Sequence, residues 1–553
     1  MLLFWLYDGE GGPVPGDVEV PAVPSPDVVI VGYGVAGASA ALAALERGAS
    51  VAILERFDGG GASAISGGIY YAGGGTNIQR DAGVEDTPEL MLEYLQLEVG
   101  DAVKPETLQK FVDGSVDTLD WLQGYGVPFE GSLAPFKTSY PTNDYYLYFS
   151  GSESSGMARA VTSPRQRGHR AFGRGVSGKA LFAPLAASAE RLGADVWRQT
   201  RVTGLIVEDG RVVGVRGVTL KDAPRWVQRM YSRLTHYATK PGIYYPPMRK
   251  VLEGPAYALE RRFAKPFEIR ANDGVVLSSG GFIANRELVE RYAPAYRDGL
   301  QLGTAGDDGT ALKLAEPLNA ATGHLDEISA WRFIVPPAAF LGSLLVDAKG
   351  QRMVDESRYG AALGKAIVQK AGGVGYLVAD KALVKRARQQ LGSQTLWFQR
   401  IQAEAFLNVG RKRAGSIAAV AAKAGIDPEL LARTVSEHNR AIADGTPDPL
   451  GKPDDIRVPI EQGPFYLFNV SIKTNMLNPC PMLTLGGLVV DEETGAVQTT
   501  SGTAIPGLYA AGRAAVGICS NSYVSGLSLA DCVFSGRRAG DQTRRHPERT
   551  SRA

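Results

Sequence analysis

Cysteine is scarce. Only Cys480, Cys519 and Cys532 occur in 553 residues, and their spacing matches no metal-ligand pattern. An odd and sparse set excludes a disulfide scaffold and suits a reducing, cytoplasmic compartment, with the thiols expected as buried apolar packing. Histidine is limited to His169, His236, His324, His438 and His546, none in a Ser-His-Asp or metal-binding arrangement. Hydrolase and metalloenzyme chemistry therefore lack support, and each histidine is expected at the surface or hydrogen-bonded. No apolar run approaches about 18 residues, so no transmembrane helix is expected. The opening MLLFWLY has no basic flank and runs into Asp8 and Glu10, which does not fit a signal peptide. Net charge is also missing: 59 basic and 58 acidic residues nearly cancel, giving no reason to expect nucleic acid as a partner.

What is present begins at Asp27. Val28 to Val31 is an apolar run of strand length, and Gly32, Gly34 and Gly37 follow as GxGxxG. In that pattern the first glycine makes a tight turn, the second lets backbone approach a pyrophosphate, and the third permits close helix packing. An alanine-rich helix follows, then a second apolar strand, Val51 to Leu54, ended by Glu55. A carboxylate at that point accepts hydrogen bonds from a ribose, so strand, turn, helix, strand and acid together read as a dinucleotide site.

Further stretches rich in glycine and small residues share this character. Gly59 to Thr76 would let backbone pass close to a large flat ligand. Gly274 to Phe282 (GVVLSSGGF) and Ile505 to Arg513 (IPGLYAAGR) are apolar strands with small-residue ends. Gly306-Asp307-Asp308-Gly309 precedes a helix whose N-terminus is expected to receive an anion or hydroxyl. A strand over Asp195 to Val207 leads into a hairpin turning at Asp209-Gly210. A last helix is expected from about Leu527.

Residues 221–265 interrupt the hairpin region. They carry ten Lys or Arg against three Asp or Glu, with Arg225, Arg229 and Arg233 at helical spacing beside Trp226, Met230 and Leu234. A cationic stripe next to an apolar one suits a helix on an anionic membrane surface, or a helix face packed on its own domain. The expected organisation is a flexible leader at 1–26, a first cofactor-domain part at 27–300 containing this insert, an inserted domain at 301–464, a second cofactor-domain part at 465–540, and a disordered tail at 541–553.

GxGxxG with Glu55, SSGGF, GDDG and GLYAAGR before a C-terminal helix, in this order, resemble the FAD-dependent fumarate reductase and 3-ketosteroid dehydrogenase superfamily. The resemblance implies an α/β fold: a Rossmann-type FAD-binding domain (glutathione-reductase-like) made from both chain ends, with an inserted α+β catalytic domain. It also implies non-covalent FAD. Gly34 to Gly37 would lie near the pyrophosphate and Glu55 at the adenosine ribose. Ser66, Gly67 and Gly68 would lie against the flavin ring, together with the helix start at Ser528 and Leu529. Gly32, Ala36, Arg56, Ala62, Ser63, Val202, Ser279, Gly280, Asp307, Ala511 and Gly512 would complete the cofactor site.

Within that superfamily the fumarate reductase branch does not fit. Leu483 stands where that branch has a histidine, Ser522-Tyr523 where it has Asn-Arg, and Gly360 where its catalytic arginine follows the glutamate at Glu356. Tyr523-Val524-Ser525 together with Tyr376 is similar to the two tyrosines and one serine of the 3-ketosteroid Δ4-(5α)-dehydrogenases. The Δ1-dehydrogenases remain one alternative, although Ala-Gly-Pro-Gly is absent after Tyr523, and a fumarate-reductase-like flavoprotein reductase of another enoate remains a second. The implied chemistry removes hydrogens from carbons 4 and 5 of a lipophilic 3-ketosteroid, with an external acceptor taking the electrons. Tyr523 is expected as the base, Ser525 as its partner in a proton relay, and Tyr376 as support for the base or for the ketone. The apolar run Trp331 to Leu345 is expected as a sterol slot or as core. Residues 221–265 would give peripheral membrane contact or bind an acidic tail such as a CoA thioester.

Overall fold

The computed structural model describes residues 25–240, 246–473 and 478–543. The leader, apart from Ser25 and Pro26, the tail from 544 onward, and part of the basic insert therefore lie outside the described residues. The first region contributes β1 (Val28–Val31), α1 (Val35–Glu46), β2 (Val51–Leu54), α2 (Gly178–Arg191), β3 (Asp195–Trp197), β4 (Thr200–Glu208), β5 (Arg211–Thr219), α3 (Arg225–Thr239), α4 (Pro246–Phe263), β6 (Lys265–Arg270) and β7 (Gly274–Leu277). The middle region contributes β8 (Leu344–Val346), β9 (Tyr376–Ala379), α5 (Lys381–Gln394), α6 (Trp397–Asn408), β10 (Arg411–Ala414) and β11 (Phe465–Asn469). The last adds β12 (Ala496–Gln498), β13 (Ala504–Ala510) and α7 (Leu527–Gln542).

One six-stranded sheet, in the order β12-β13-β7-β1-β2-β3, takes strands from both chain ends. All neighbours are parallel except the edge strand β12. β1, β2 and β7 are continuous apolar runs because both faces of a parallel sheet are covered. On one face α1 packs along α7. A Cβ at Gly536 would stand 2.5 Å from the Ala36 carbonyl oxygen, and one at Gly540 would stand 2.1 Å from that of Ala40. Only glycine lets the two helices approach so closely, and this contact joins residues 500 positions apart. On the other face lies the antiparallel sheet β4-β5-β6.

The expected strand over Asp195 to Val207 is in fact two strands in two sheets. β3 ends at Trp197, Gln199 takes a positive φ of 54°, and β4 starts at Thr200. The hairpin turn at Asp209-Gly210 is as expected, with φ of 49° and 75°. The middle region builds a four-stranded sheet, β8-β9-β11-β10. β11 belongs to it, so Phe465–Asn469, expected in the second cofactor-domain part, pairs instead with Tyr376–Ala379 and Arg411–Ala414. The chain rejoins the six-stranded sheet only at β12.

The basic insert is a pair of contacting helices, α3 and α4. Val227 and Tyr231 are buried on it and Leu234 is half-buried, whereas Trp226 and Met230 are exposed. The expected single apolar stripe is thus split between an inner and an outer face. The inner face covers Arg56 and Phe57: Tyr231 stacks on Phe57 and donates to the Arg56 carbonyl, and Tyr257 lies under the Arg56 guanidinium.

Candidate active site

A cavity of about 980 Å³ is walled by residues from the six-stranded sheet and from the middle region. Two groups of lining residues differ in character. The first is backbone-rich and polar: Gly32, Gly34, Ala36, Glu55, Arg56, Ala62, Ser63, Ser66, Gly67, Gly68, Val202, Ser279, Gly280, Asp307, Ser528 and Leu529. Gly32 has a φ of +104°, and a Cβ there would lie 2.6 Å from the Ser278 carbonyl oxygen, so the turn admits only glycine. Glu55 is buried and accepts from the backbone N–H of Tyr33 and Phe57 at 2.8 Å each. Burial still pushes its carboxyl above the usual range, and a carboxylate retains lone pairs for a ribose hydroxyl.

The polar group fits a dinucleotide cofactor on three unsatisfied atoms. Ser279 Oγ, Arg56 Nε and Arg513 Nη1 are buried without a hydrogen-bond partner in the protein, although buried polar groups are nearly always paired. All three residues line the cavity. Arg513, absent from the sequence-based set, is held by Asp307 at 2.7 Å. Asp307 also accepts from the backbone N–H of Thr304 and Gly281. The helix after GDDG is not open to an anion as expected: Asp308 caps Thr310 N–H at 3.0 Å and pairs with Arg56 at 2.7 Å.

Gly37, Ala511 and Gly512 shape this wall without lining it. A Cβ on Gly37 would stand 2.1 Å from the Gly32 carbonyl oxygen, so its role is helix-on-turn packing. Gly512 is pressed against Ala36 and Cys532, and Ala511 is fully buried as its N–H donates to Leu277. The three cysteines are free and buried, as expected. Of the histidines, His169 is hydrogen-bonded to Thr76 and Arg167, and His438 to Val458.

The second group of lining residues is aromatic and aliphatic: Trp331, Phe333, Ile334, Val335, Phe340, Phe398, Phe406 and Leu483, with Tyr359, Tyr523 and Ser525. The run from Trp331 therefore serves both as slot, through these residues, and as core, through Leu344 and Leu345. No histidine lines the cavity among the described residues.

Tyr523 is stacked on Trp331, ring centroids 5.3 Å apart and planes at 18°. Tyr359 lies against Tyr523 at 6.2 Å and against Phe333 at 5.6 Å. Gly526 stands at the start of α7 with a φ of +93°. Burial, the largest effect, pushes the Tyr523 phenol well above the ordinary tyrosine range; Gly526 N–H and Arg513 act against it. The Ser525 hydroxyl accepts from the Tyr148 phenol at 3.5 Å; burial pushes the Tyr359 phenol well above the ordinary tyrosine range, and Ser525 acts against it.

Tyr376 is not at the site. It is the first residue of β9 and pairs with Val346 and Asn469. Strand alternation puts it on the face packed by Val420, Leu431 and Val435, away from the cavity lining. Tyr359 instead lies beside Tyr523 in the cavity wall. Its sequence signal was its place just before Gly360, at the N-cap of the helix Gly360–Ala371, and no local pattern marked it as lining.

Comparison with known proteins gives concordant matches. The family model "FAD binding domain" matches residues 27–526. The chain is 36% identical to the 3-oxo-5-alpha-steroid 4-dehydrogenase of Comamonas testosteroni, over 88% of this chain and 92% of that protein. It is 26% identical to the 3-oxosteroid 1-dehydrogenase of Mycolicibacterium smegmatis, over 90% and 93%. Among solved structures it resembles the 3-ketosteroid-Δ4-(5α)-dehydrogenase of Rhodococcus jostii in complex with 4-androstene-3,17-dione, with a TM-score of 0.79 and 29% identity, covering 95% of this chain and 98% of that one.

Proposed function

This chain belongs to the FAD binding domain family, and on that premise we propose that it is an FAD-dependent 3-ketosteroid dehydrogenase that forms the C4–C5 double bond. The observation that carries the proposal is one cavity in which a glycine-lined polar channel meets an aromatic slot at Tyr523. The aromatic group named above contains no charged side chain, so a dicarboxylate would lose its charge partners there, whereas a sterol ring system finds apolar walls.

FAD, when bound, supplies a two-electron acceptor for the hydride leaving carbon 5. The protein provides the remaining tasks. The Tyr523 oxygen takes the proton from carbon 4, and the Gly526 N–H and the Arg513 charge favour its phenolate. Trp331, stacked on the Tyr523 ring, fixes its orientation. Ser525, hydrogen-bonded to Tyr148, gives the proton a route away from the base, and Tyr359, lying against the Tyr523 ring, takes the supporting role assigned to Tyr376 from the sequence. Trp331, Phe333 and Leu483 exclude water, which strengthens every polar contact made inside. Turnover also requires an external electron acceptor.

Among the described residues no helix is long and apolar enough to cross a membrane. The inner face of α3 is packed on Arg56 and Phe57, so of the two roles for residues 221–265 the proposal takes the packed face, with Trp226 and Met230 left exposed beside Arg225, Arg229 and Arg233. Flotation with anionic vesicles that survives deletion of 221–265 is the expected result, and its loss would return the membrane contact to this insert.

The test of the reaction is anaerobic flavin bleaching against a panel of steroids. Bleaching by 5α-saturated 3-ketosteroids is expected. Bleaching by 4-ene 3-ketosteroids alone would move the assignment to the Δ1 position, and no bleaching by any ketosteroid would refute the class.

A further inference from the structure

The aromatic end of the cavity has α6 as a wall between substrate and solvent. Phe398, Gln402 and Phe406 follow at i, i+4 and i+8 and line the cavity, and Phe406 meets Phe340 of the slot at 6.1 Å. One position earlier on each turn the helix faces outward. Trp397 is 75% exposed and Ile401 62%, and Val409 just beyond the helix is 68% exposed. Trp397 also lines the cavity, so the exposed apolar surface is continuous with its mouth.

The surroundings of that surface are strongly basic. Residues 381–414, spanning α5, α6 and β10, contain eight Lys or Arg against Glu404 alone. Lys381, Lys385 and Arg388 of α5 are exposed, as are Arg400, Lys412 and Arg413. Large apolar side chains left in water within a cationic field are the signature of a surface that enters an anionic interface, where tryptophan is favoured at headgroup depth.

We propose that α6, with α5 and β10, docks on an anionic lipid surface, and that the lipophilic substrate passes from the bilayer to the cavity past Trp397. The route of entry rests on the proposed ketosteroid reaction; the docking does not. This face is distinct from the α3–α4 insert, whose contacts lie on Arg56 and Phe57. The lipid surface meets the slot rather than the nucleotide channel. Each basic residue near an anionic leaflet changes partition about fivefold, and the attraction weakens as salt rises.

The experiment uses the full-length, FAD-loaded protein with phosphatidylcholine vesicles, with and without phosphatidylglycerol. Wild type is expected to float only with the anionic vesicles. Arg400→Gln combined with Lys412→Gln is expected to weaken binding roughly 30-fold, and Ile401→Asp to abolish flotation. Met230→Asp, on α3, is expected to leave it intact. In all variants flavin bleaching by cyclodextrin-solubilised ketosteroid should stay at the wild-type rate, which shows that the fold and site survive. Absent flotation, equal flotation with neutral vesicles, or loss through Met230→Asp but not Ile401→Asp would each overturn the docking face. Flotation without ketosteroid bleaching would overturn the substrate and leave the docking standing.

Discussion

Replacing Tyr523 with Phe isolates one oxygen. The ring stack on Trp331 at 5.3 Å survives and the apolar slot keeps its shape. A positioned proton acceptor contributes about 10²–10⁴-fold, equivalent to about 3–5 kcal/mol of barrier, so flavin reduction should slow by that factor while FAD stays bound. The pH dependence supplies a second signature. The acceptor must be ionised to work, and burial raises its pKa above the ordinary tyrosine value of about 10. Across the neutral range the ionised fraction is therefore small and grows tenfold per pH unit. Anaerobic stopped-flow reduction from pH 6 to 9 should show a wild-type rate rising with that slope, and a slow, flat Tyr523→Phe rate. A flat or falling wild-type profile, or a Phe variant within threefold of wild type, would refute Tyr523 as the base.

Tyr359→Phe should slow flavin reduction at least tenfold, whereas Tyr376→Phe, in the β8-β9-β11-β10 sheet, should leave it unchanged; the two stopped-flow rates compared side by side decide between the tyrosines. Asp307→Asn leaves the buried Arg513 guanidinium without its 2.7 Å partner, at a cost of about 3–5 kcal/mol, and the protein should purify with markedly less FAD by its flavin-to-protein absorbance ratio. Gly536→Ala puts a methyl 2.5 Å from the Ala36 carbonyl oxygen; overpacking of about 1–3 kcal/mol should lower the temperature of FAD release. Burial raises the Asp531 carboxyl to about 6. A raised folded-state pKa gives a contribution that is full below the unfolded value near 4 and lost as pH passes about 6, so urea titrations should show a loss of up to about 3 kcal/mol over that window. Asp531→Asn should flatten it, and an unchanged slope would refute the assignment.

The residues proposed for the nucleotide half of the site could be named from the sequence because their requirements are local. A pyrophosphate asks for backbone without side chains, and a ribose asks for an acid at the end of a strand. Gly32, Gly34 and Glu55 meet those demands within one β1-α1-β2 unit, and sequence spacing records them. The same holds for Tyr523 and Ser525, which stand next to the start of α7.

Tertiary structure decided what depends on the partner of a residue rather than on its neighbours in the chain. Tyr376 carries the right side chain, but strand alternation turns it toward Val420 and Leu431, while Tyr359, from a loop, reaches Tyr523. Arg513 counts because Asp307, 206 residues earlier, holds it at the cavity. The stripe in the basic insert was visible, yet which face turned inward was set by Arg56 and Phe57. A local motif needs only chain geometry; a charge pair, a shared hydroxyl or a covered face needs the fold to bring its other half.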